Sequence, residues 1–385
     1  MARTVLLLHS SAGMYGADVQ LLAIARGLDP GRWRAVCVLP EHGPLAERLE
    51  EAGAEVVVHP LAVLRRSLAT AAGAVRMRRA TAADQRVLGA LARERGAHVV
   101  HDNTSVILGG AKVARGAGAA HVIHVRESWT GGGRAERALW PLMRRRLLRA
   151  DAVVGISQAV CDQFPPDAAV LLRDGLPRAP EPMDRDRARS ELGLPAGRFV
   201  VAVVGRVHPW KGQDVLARAL AEPAMAQIGA VGVVAGDAIP GGDADERLDA
   251  LAADLGVQDR LVRLGFRDDV DTVLGAADAV AVPSTRPEPL GLVALEAGAA
   301  GLPVVASAAG GVAEVVRDGV SGLLVAPGDP AALATSLARL AGDPEEAARL
   351  GREGARIVAA EHDPGRVTDA LQELYEKLAE SPVRT

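Results

Sequence analysis

The chain has few aromatic side chains, few cysteines and no long uncharged apolar run. Phenylalanine, tryptophan and tyrosine make up 2% of its 385 residues, too few rings for a base-stacking platform that binds single-stranded nucleic acid. The two cysteines, Cys37 and Cys161, show neither metal-ligand spacing nor a disulfide framework. We expect both to be small buried hydrophobes, in a core that relies on alanine, valine and leucine.

A strong charge of one sign is also missing. The formal net charge of −4 argues against a nucleic-acid partner. The N-terminal apolar run, Val5 to Leu8, is too short for a signal peptide, and no later stretch reaches membrane-spanning length without charges. We therefore expect a cytoplasmic protein.

Three arginine clusters raise the alternative of peripheral contact with an anionic membrane at its inner face. Solvated helix faces are the favoured interpretation of such clusters. The clusters are Arg65-Arg66, Arg76 to Arg79 and Arg144 to Arg149.

What the sequence does contain is a regular alternation of short apolar runs and amphipathic segments. This alternation predicts parallel sheets with helices on both faces, and the chain length predicts two domains. A proline-rich break at residues 173–197 predicts the linker, with a short helix at Arg185–Leu192. The predicted strands are Val5–Leu8, Val36–Leu39, Val56–Val58, Val99–His101, His121–Val125, Ala152–Ile156, Phe199–Val204, Val231–Val234, Leu261–Leu264, Ala279–Val282, Val304–Ala306 and Leu323–Val325. The predicted helices include Ala17–Leu28, Pro44–Ala52, Gln85–Arg95, Ser105–Ala117, Arg134–Arg149, Ala331–Ala341, Glu345–Ala360 and Pro364–Glu380.

The most informative stretch runs from Pro283 to Gly311, PSTRPEPLGLVALEAGAAGLPVVASAAGG. It follows a predicted strand, forms a loop and then starts a helix. A helix that begins at the carboxyl end of a parallel strand presents free N–H groups and the positive end of its dipole to a ligand. Gly291 allows close approach to that backbone, and Glu288 and Glu296 can accept bonds from hydroxyl groups. The combination predicts a sugar-phosphate site.

A second stretch, Val203 to Asp214, has the sequence VVGRVHPWKGQD and leaves the first strand of the second half. Arg206 can hold a phosphate bidentately and Lys211 can act as a point charge. Gly205 and Gly212 leave room for a ligand. The alternative is a pair of exposed surface charges.

The loop after the first strand, HSSAGMYGAD, contains Gly13 and Gly16. A glycine-containing loop between a strand and a helix is the usual phosphate-facing element of α/β folds. A tight strand-to-helix turn without a ligand is an equally good interpretation.

Two further strand ends in the first half carry polar residues, HDNTS and HVIHVRES. A helix N-cap at Asn103 to Ser105 is as good an interpretation as a binding role, and a structural role is favoured for any one histidine. The side chains that could act on a ligand are His124, Arg126 and Glu127, while Asn103 and Thr104 could bond to a polyol.

One acidic triplet, Asp269-Val270-Asp271, has a spacing that can hold a divalent metal. It also opens a predicted helix, where the dipole favours acidic residues in the first turn. The helix start is the favoured interpretation, and we predict no metal site.

With these residues assembled, the chain resembles the family 4 retaining glycosyltransferases of the GT-B fold. The resemblance rests on the GR…KG pair, on the E-x7-E pattern in EPLGLVALEA, and on GLPVVA…GGVAEVVRDGVSGLLVAPGDP. It implies an α/β fold with two Rossmann-like, doubly wound parallel-sheet domains that face a cleft. Residues 1–178 would bind the acceptor, with helix 364–385 packing back on them, and residues 179–363 would bind the nucleotide-sugar donor.

The resemblance implies transfer of a sugar, with retention, from a nucleoside-diphosphate sugar to a hydroxyl acceptor. UDP is the expected carrier, the acceptor would be a glycan, a lipid-linked sugar or a small natural product, and neither cofactor nor metal is expected. The donor-binding residues would be Gly13, Gly16, Gly205, Arg206, Lys211, Glu288, Gly291, Leu292 and Glu296. The acceptor-binding residues would be Asn103, Thr104, Arg126 and Glu127. The catalytic residues would be Glu288, Arg206, Lys211, His124 and Glu127.

The chain departs from the family at one strand end. Many members carry a histidine followed by a small or acidic residue there, whereas this chain has HVRE. Either His124 fills that position two residues early, or Arg126 and Glu127 replace it.

Three other functions are compatible with an α/β chain of this kind. A dinucleotide-dependent dehydrogenase is disfavoured because the first turn lacks GxGxxG. A UDP-sugar 2-epimerase has the same two-domain architecture but releases an isomerised sugar without an acceptor. A non-enzymatic sugar-nucleotide sensor would bind the donor and turn nothing over.

Overall fold

The computed structural model describes residues 2–64, 71–238 and 241–380. The chain divides into two units, Met1–Pro177 with Asp363–Thr385 and Arg178–His362. Each unit is built on one parallel sheet. Most strand residues are valine, alanine or leucine, because helices cover a parallel sheet on both faces.

The sheet of the first unit has the strand order β3-β2-β1-β4-β5-β6-β7, and each neighbouring pair is parallel. The direction of winding reverses between β1 and β4, which is the topological switch point of a doubly wound sheet. The strands are β1 Arg3–Leu8, β2 Trp33–Leu39, β3 Glu55–Val58, β4 Ala97–Asp102, β5 Ala120–Val125, β6 Ala152–Gly155 and β7 Val170–Leu171. The short strand β7 is missing from the sequence prediction.

Helices cover the first sheet, and the last helix of the chain belongs to this unit. They are α1 Gly16–Gly27, α2 Pro44–Glu51, α3 Ala71–Glu94, α4 Gly110–Ala117, α5 Arg134–Leu147, α6 Gln158–Cys161 and α16 Pro364–Glu380. The arginine cluster at Arg65-Arg66 lies outside the described residues.

Two of these helices differ from the prediction. Helix α3 has 24 residues and begins well before Gln85, because its first half is rich in good helix formers but lacks an apolar period. Helix α4 begins at Gly110, so the predicted N-cap at Asn103 to Ser105 is wrong. The residues before α4 pair with an earlier segment, since the Leu64 N–H donates to the Val106 carbonyl at 2.8 Å and the Leu108 N–H donates to the Ala62 carbonyl at 2.9 Å.

The sheet of the second unit has the strand order β10-β9-β8-β11-β12-β13, again with parallel neighbours. Its switch point lies between β8 and β11. The strands are β8 Val200–Val204, β9 Val231–Ala235, β10 Leu261–Gly265, β11 Ala279–Val282, β12 Val304–Ser307 and β13 Gly322–Val325. The helices are α7 Arg185–Glu191, α8 Gln213–Ala221, α9 Pro223–Gln227, α10 Ala244–Asp254, α11 Val270–Ala276, α12 Leu292–Ala299, α13 Val312–Val315, α14 Pro330–Gly342 and α15 Pro344–Glu361.

Helix α16 completes the core of the first unit. The rings of Tyr375 and Trp33 meet edge to face, with centroids 5.3 Å apart, and the Tyr375 hydroxyl lies 2.5 Å from His101 Nδ1. The Gln372 side chain accepts a bond from the Asp29 N–H at 2.8 Å. Leu371 is fully buried, so this helix is fixed by both apolar and polar contacts.

Both cysteines are buried and unpaired, as the sequence predicts. Burial raises the pKa of the Cys37 thiol to about 12, which keeps it protonated. No helix among the described residues combines the length and the apolar character needed to cross a bilayer.

Removing the Tyr375 hydroxyl should destabilise the protein. Burial lowers the pKa of His101 to about 3, so the ring is neutral, and a Tyr375→Phe change leaves its Nδ1 without this partner. We expect a loss of about 1–3 kcal/mol, measured as a lower Tm. The matched Tyr15→Phe change, at a side chain that is 44% exposed, should lower Tm less, and equal losses would contradict the assignment.

Candidate functional site

Lys211 and Glu288 form an ion pair at the carboxyl edge of the second sheet. The Lys211 Nζ lies 2.9 Å from Glu288 Oε1 and 3.0 Å from Oε2, although the residues are 77 positions apart. The Ser284 hydroxyl donates to Glu288 Oε2 at 2.9 Å. The Glu288 side chain is buried, so its carboxylate is held by both partners rather than hydrated.

The loops that carry this pair lie directly against each other. The Thr285 N–H donates to the Trp210 carbonyl at 2.8 Å. Gly212 has φ +80°, and a Cβ there would lie 2.0 Å from the Pro283 carbonyl oxygen. Glycine is therefore required at 212 for the loop after β8 to reach the loop after β11.

A third loop fixes the backbone of Glu288. The Glu288 N–H donates to the Ala309 carbonyl at 3.2 Å, and the Gly311 N–H donates to the Glu288 carbonyl at 2.7 Å. These bonds make a parallel bridge between Glu288 and Gly310. The glutamate predicted from its position between two prolines is thus held at both its backbone and its carboxylate.

Helix α12 begins directly after this loop. Gly291 is its N-cap in the left-handed conformation, with φ +88°, and no side chain caps the helix. The first backbone N–H groups of the helix, including that of Leu292, have no acceptor within the helix itself. Together with the helix dipole they provide a site for an anion.

Arg206 lies on the same loop as Lys211. Its backbone carbonyl accepts from Gln213 Nε2 at 3.0 Å, and the preceding Gly205 N–H donates to the Ala235 carbonyl at 2.8 Å. Arg206 is half-buried. The structure therefore places both predicted cations on one short, well-tethered loop.

Glu296 lies in the second turn of α12 and is half-buried. Burial raises the pKa of its carboxyl to about 7; Arg178 opposes this rise and Asp271 adds to it. A glutamate with this pKa changes its charge near neutral pH, unlike an exposed one.

In the first unit, Arg126 and Asn103 contact each other. Arg126 Nε donates to the Asn103 carbonyl at 3.0 Å, and Nη2 donates to Asn103 Oδ1 at 3.2 Å. Arg126 Nη1 also pairs with Asp174. Because Arg126 is only 8% exposed, most of its donors are used inside the unit.

His124 is fully buried on β5. Its ring stacks on His101 with centroids 5.5 Å apart, and Nδ1 lies 3.4 Å from Arg126 Nη2. Burial, reinforced by the positive charge of Arg126, holds its pKa well below the ordinary value. In this arrangement neutral His124 supports Arg126 and presents no nitrogen to solvent.

Glu127 anchors the loop after β4. One carboxylate oxygen accepts from the Ser105 N–H at 3.2 Å, the Ser105 hydroxyl at 2.5 Å and the Arg126 N–H at 3.0 Å. Burial raises the pKa of Glu127, and these bonds oppose the rise. Thr104, buried beside it, donates to the Ser10 hydroxyl at 3.3 Å.

A polar pair that the sequence did not predict joins the loop after β1 to the first turn of α1. His9 Nε2 lies 2.6 Å from Asp18 Oδ1, and His9 Nδ1 lies 3.0 Å from Asn103 Nδ2. Burial would raise the pKa of Asp18, but the bonds from His9, Ser11 and Tyr15 lower it. The signal in the sequence was a histidine directly after the strand and an aspartate in the first turn of α1.

We call Asp18, His9, Asn103, Arg126 and Asp174 the edge network, since they form one hydrogen-bonded series at the carboxyl edge of the first sheet. The two predicted glycines lie at its start. A Cβ at Gly13 would be 3.3 Å from Asp18 Oδ2, and Gly16 is the first residue of α1.

The Asp269-Val270-Asp271 triplet lies at the start of α11, as predicted. Asp269 bonds to Arg267 Nε at 2.7 Å, and Asp271 pairs with Arg178 at 2.7 Å. Within residues 2–64, 71–238 and 241–380, no group of three or more His, Cys, Asp or Glu has an arrangement that could hold a metal ion.

Family models match both units. Residues 184–357 match the family described as glycosyl transferases group 1, and residues 15–171 match the glycosyl transferase 4-like domain. Both matched families are described as glycosyl transferases, and together the two matches cover most of the chain. The glycosyltransferase class predicted from the sequence is therefore confirmed.

Curated relatives match about half of the chain in sequence. The D-inositol 3-phosphate glycosyltransferase of Salinispora arenicola is 46% identical over 203 residues, which cover 50% of this chain and 45% of that protein. The protein of the same name from Nocardia farcinica is 45% identical over 186 residues, covering 46% of this chain and 40% of its own length. The chain therefore spans less than half the length of these relatives.

Solved structures share nearly the whole fold. HepE of Anabaena, in complex with UDP-glucose, is 27% identical with a TM-score of 0.81 and covers 97% of this chain and 99% of its own. Sucrose-phosphate synthase from Thermosynechococcus elongatus, 22% identical, has a TM-score of 0.79 and covers 98% of this chain and 99% of its own. The predicted fold class, two Rossmann-like parallel-sheet domains of GT-B type, is confirmed.

The raised pKa of Glu296 makes stability depend on pH. The folded protein keeps this proton up to about pH 7, whereas the unfolded chain releases it near 4.5. The stability that protonation contributes is therefore present below pH 4.5 and lost as pH rises to 7. Glutamine has no charge to bury at either pH. The gain in stability from Glu296→Gln, relative to the unchanged protein, should therefore be about 1–3 kcal/mol larger at pH 8 than at pH 5.

The measurement is the Tm difference between the variant and the unchanged protein at pH 5, 6, 7 and 8. Glu373→Gln, at an exposed carboxyl on α16, controls for the loss of one charge. A Tm difference for Glu296→Gln that stays constant over this range would contradict the raised pKa.

Proposed function

We propose that this protein is a retaining hexosyltransferase that transfers a sugar from a UDP-sugar to a hydroxyl acceptor. The observation that carries the proposal is the Lys211–Glu288 pair beside the uncapped N-terminus of α12. It places a cation, a carboxylate and free N–H groups at one sheet edge. UDP as the carrier is supported by the likeness to HepE, which was solved with UDP-glucose.

The diphosphate of the donor binds to Arg206, Lys211 and the N–H groups at Gly291 and Leu292. Charge-assisted hydrogen bonds of this kind are about twice as strong as neutral ones. They strengthen as negative charge develops on the departing phosphate, which is how a preorganised site lowers a barrier. The tethering of Arg206 and Lys211 on one loop supports such preorganisation.

The two glutamates act on different parts of the donor. Glu288 accepts bonds from hydroxyls of the transferred sugar, and its carboxylate is kept in position by Lys211 and Ser284. Glu296 accepts bonds from the ribose hydroxyls. A carboxylate suits both tasks because it is an acceptor with two oxygens.

The reaction breaks the bond between the sugar C1 and the diphosphate oxygen and forms a bond between C1 and the acceptor oxygen on the same face. The acceptor hydroxyl proton passes to an oxygen of the departing phosphate, so UDP and a glycoside are the products. In this mechanism Arg206 and Lys211 supply the positive charge, and the proposal assigns no step to a metal.

We propose that the unit Arg178–His362 binds the donor and the unit Met1–Pro177 with Asp363–Thr385 binds the acceptor. Acceptor contacts are assigned to Asn103, Thr104, Arg126 and Glu127, with the loop of Gly13 and Gly16 beside them. Because Asn103, Thr104 and Arg126 are buried, an acceptor would have to replace some of their bonds within the unit. The acceptor is a glycan, a lipid-linked sugar or a small natural product, and the names of the curated relatives support a phosphorylated polyol among these.

Loss of either cation should reduce turnover sharply. Removing one preorganised group of this kind typically costs roughly 10²–10³ in kcat, so we expect that loss for Arg206→Ala and for Lys211→Ala. The assay incubates a panel of nucleotide sugars and acceptors with the protein and follows UDP release and product mass. Arg352→Ala, at an exposed arginine on α15, is the matched control and should retain activity.

Four results would count against the proposal. Full transfer by both variants would remove the cations from the mechanism, and abolition by EDTA would require a metal. Release of an isomerised sugar without any acceptor would favour the UDP-sugar 2-epimerase. Donor binding with no turnover on any acceptor would favour the sensor.

A further inference from the structure

A cavity of about 330 Å³ lies in the first unit between α4 and α5. Its polar lining comes from four cations, one histidine and one carboxylate, and small apolar side chains form the rest. The polar lining residues are Lys112, Arg115, Arg146, Arg149, His121 and Asp151. None of them belongs to the edge network.

The lining has an excess of positive charge. Within the described part of the chain, Lys112, Arg115 and Arg149 form no ion pair, and all three are exposed. The Asp151 carboxylate, the one acid among the lining residues, already accepts the His121 N–H at 2.8 Å. An anion could therefore approach the three cations without displacing a carboxylate.

Arg146 is held in place at the wall of the cavity. Its guanidinium donates to the Ser105 carbonyl at 3.2 Å and also contacts the Ile107 carbonyl. Burial lowers its pKa, and the Asp102 carboxylate opposes that effect. Neutral carbonyl partners leave this half-buried cation incompletely compensated, so a bound anion would stabilise it.

His121 provides a second, independent indication of a ligand. The residue is 5% exposed, its Nε2 lies 3.0 Å from Asp102 Oδ2, and its buried Nδ1 has no hydrogen-bond partner among the described residues. Buried polar atoms are nearly always paired with protein, with ordered water or with a bound ligand. This unpaired nitrogen belongs to a side chain that lines the cavity.

The cavity is separate from the residues assigned to the acceptor. His121 lies near the amino end of β5 and Asp151 directly precedes β6, whereas Arg126 follows the carboxyl end of β5. The five residue steps of extended strand from His121 to Arg126 span roughly 16 Å. A ligand here would therefore occupy a different site from an acceptor at the edge network.

We propose that this cavity binds a phosphate-bearing anion, as a soluble phosphoester or as the headgroup of a phospholipid. Guanidinium groups match the geometry of phosphate oxygens, and Arg115, Arg146 and Arg149 present three of them around one space. A volume of about 330 Å³ is near the lower limit of small-molecule sites. It suits a phosphate with a small polyol attached.

The test compares two double variants of equal charge. Arg115→Ala with Arg149→Ala removes two exposed cations from the cavity. Arg144→Ala with Arg145→Ala removes two exposed cations from α5 that do not line it. Binding is measured by calorimetry with inorganic phosphate and glycerol 3-phosphate, and by sedimentation with phosphatidylcholine vesicles that contain or lack phosphatidylglycerol.

The Arg115→Ala, Arg149→Ala variant should lose roughly 10-fold or more in affinity. The Arg144→Ala, Arg145→Ala control should lose less than about 2-fold. The Tm of both variants should stay near that of the unchanged protein. Such a difference with glycerol 3-phosphate supports a soluble ligand, and the same difference with anionic vesicles supports a headgroup. Non-specific attraction to a charged surface weakens by about the same amount for each arginine lost. Equal losses in the two variants would overturn the proposal, and so would the absence of binding to inorganic phosphate, to glycerol 3-phosphate and to the anionic vesicles.

Discussion

The residues of the candidate donor site lie at strand ends because the two parallel sheets are buried. Helices cover both faces, so the strands are mostly apolar, and the charged side chains of this site lie where strands stop. Lys211 and Glu288 follow β8 and β11, and Arg126 follows β5. The switch points of the two sheets, where loops diverge, are the places that such folds leave open for ligands.

Close contact between loops then determines how these ends are arranged. With few aromatic residues in the core, small side chains allow backbones to touch, and Gly212 lies directly against the Pro283 carbonyl. Three loops from separate strands are thereby joined by main-chain bonds around Glu288. The ion pair with Lys211 follows from this contact, since two loops that moved independently would lose conformational entropy on forming it.

The sequence predicts most of the fold because strands and helices are local patterns. It predicts that Arg206, Lys211 and Glu288 lie at one sheet edge, since the order of elements determines that. It does not predict the His9–Asp18 pair or the burial of His124, which depend on contacts between residues far apart in the chain. The start of α4 was misplaced for the same reason, because an earlier segment pairs with the residues before it.

The position of helix α16 has a consequence for biosynthesis. The core of the first unit includes Tyr375 and Leu371, which are translated only after the whole second unit. Until they emerge from the ribosome, Trp33 lacks its ring partner and the buried His101 lacks the tyrosine hydroxyl. The second unit, whose core lies within Arg178–His362, can therefore complete its folding before the unit that precedes it.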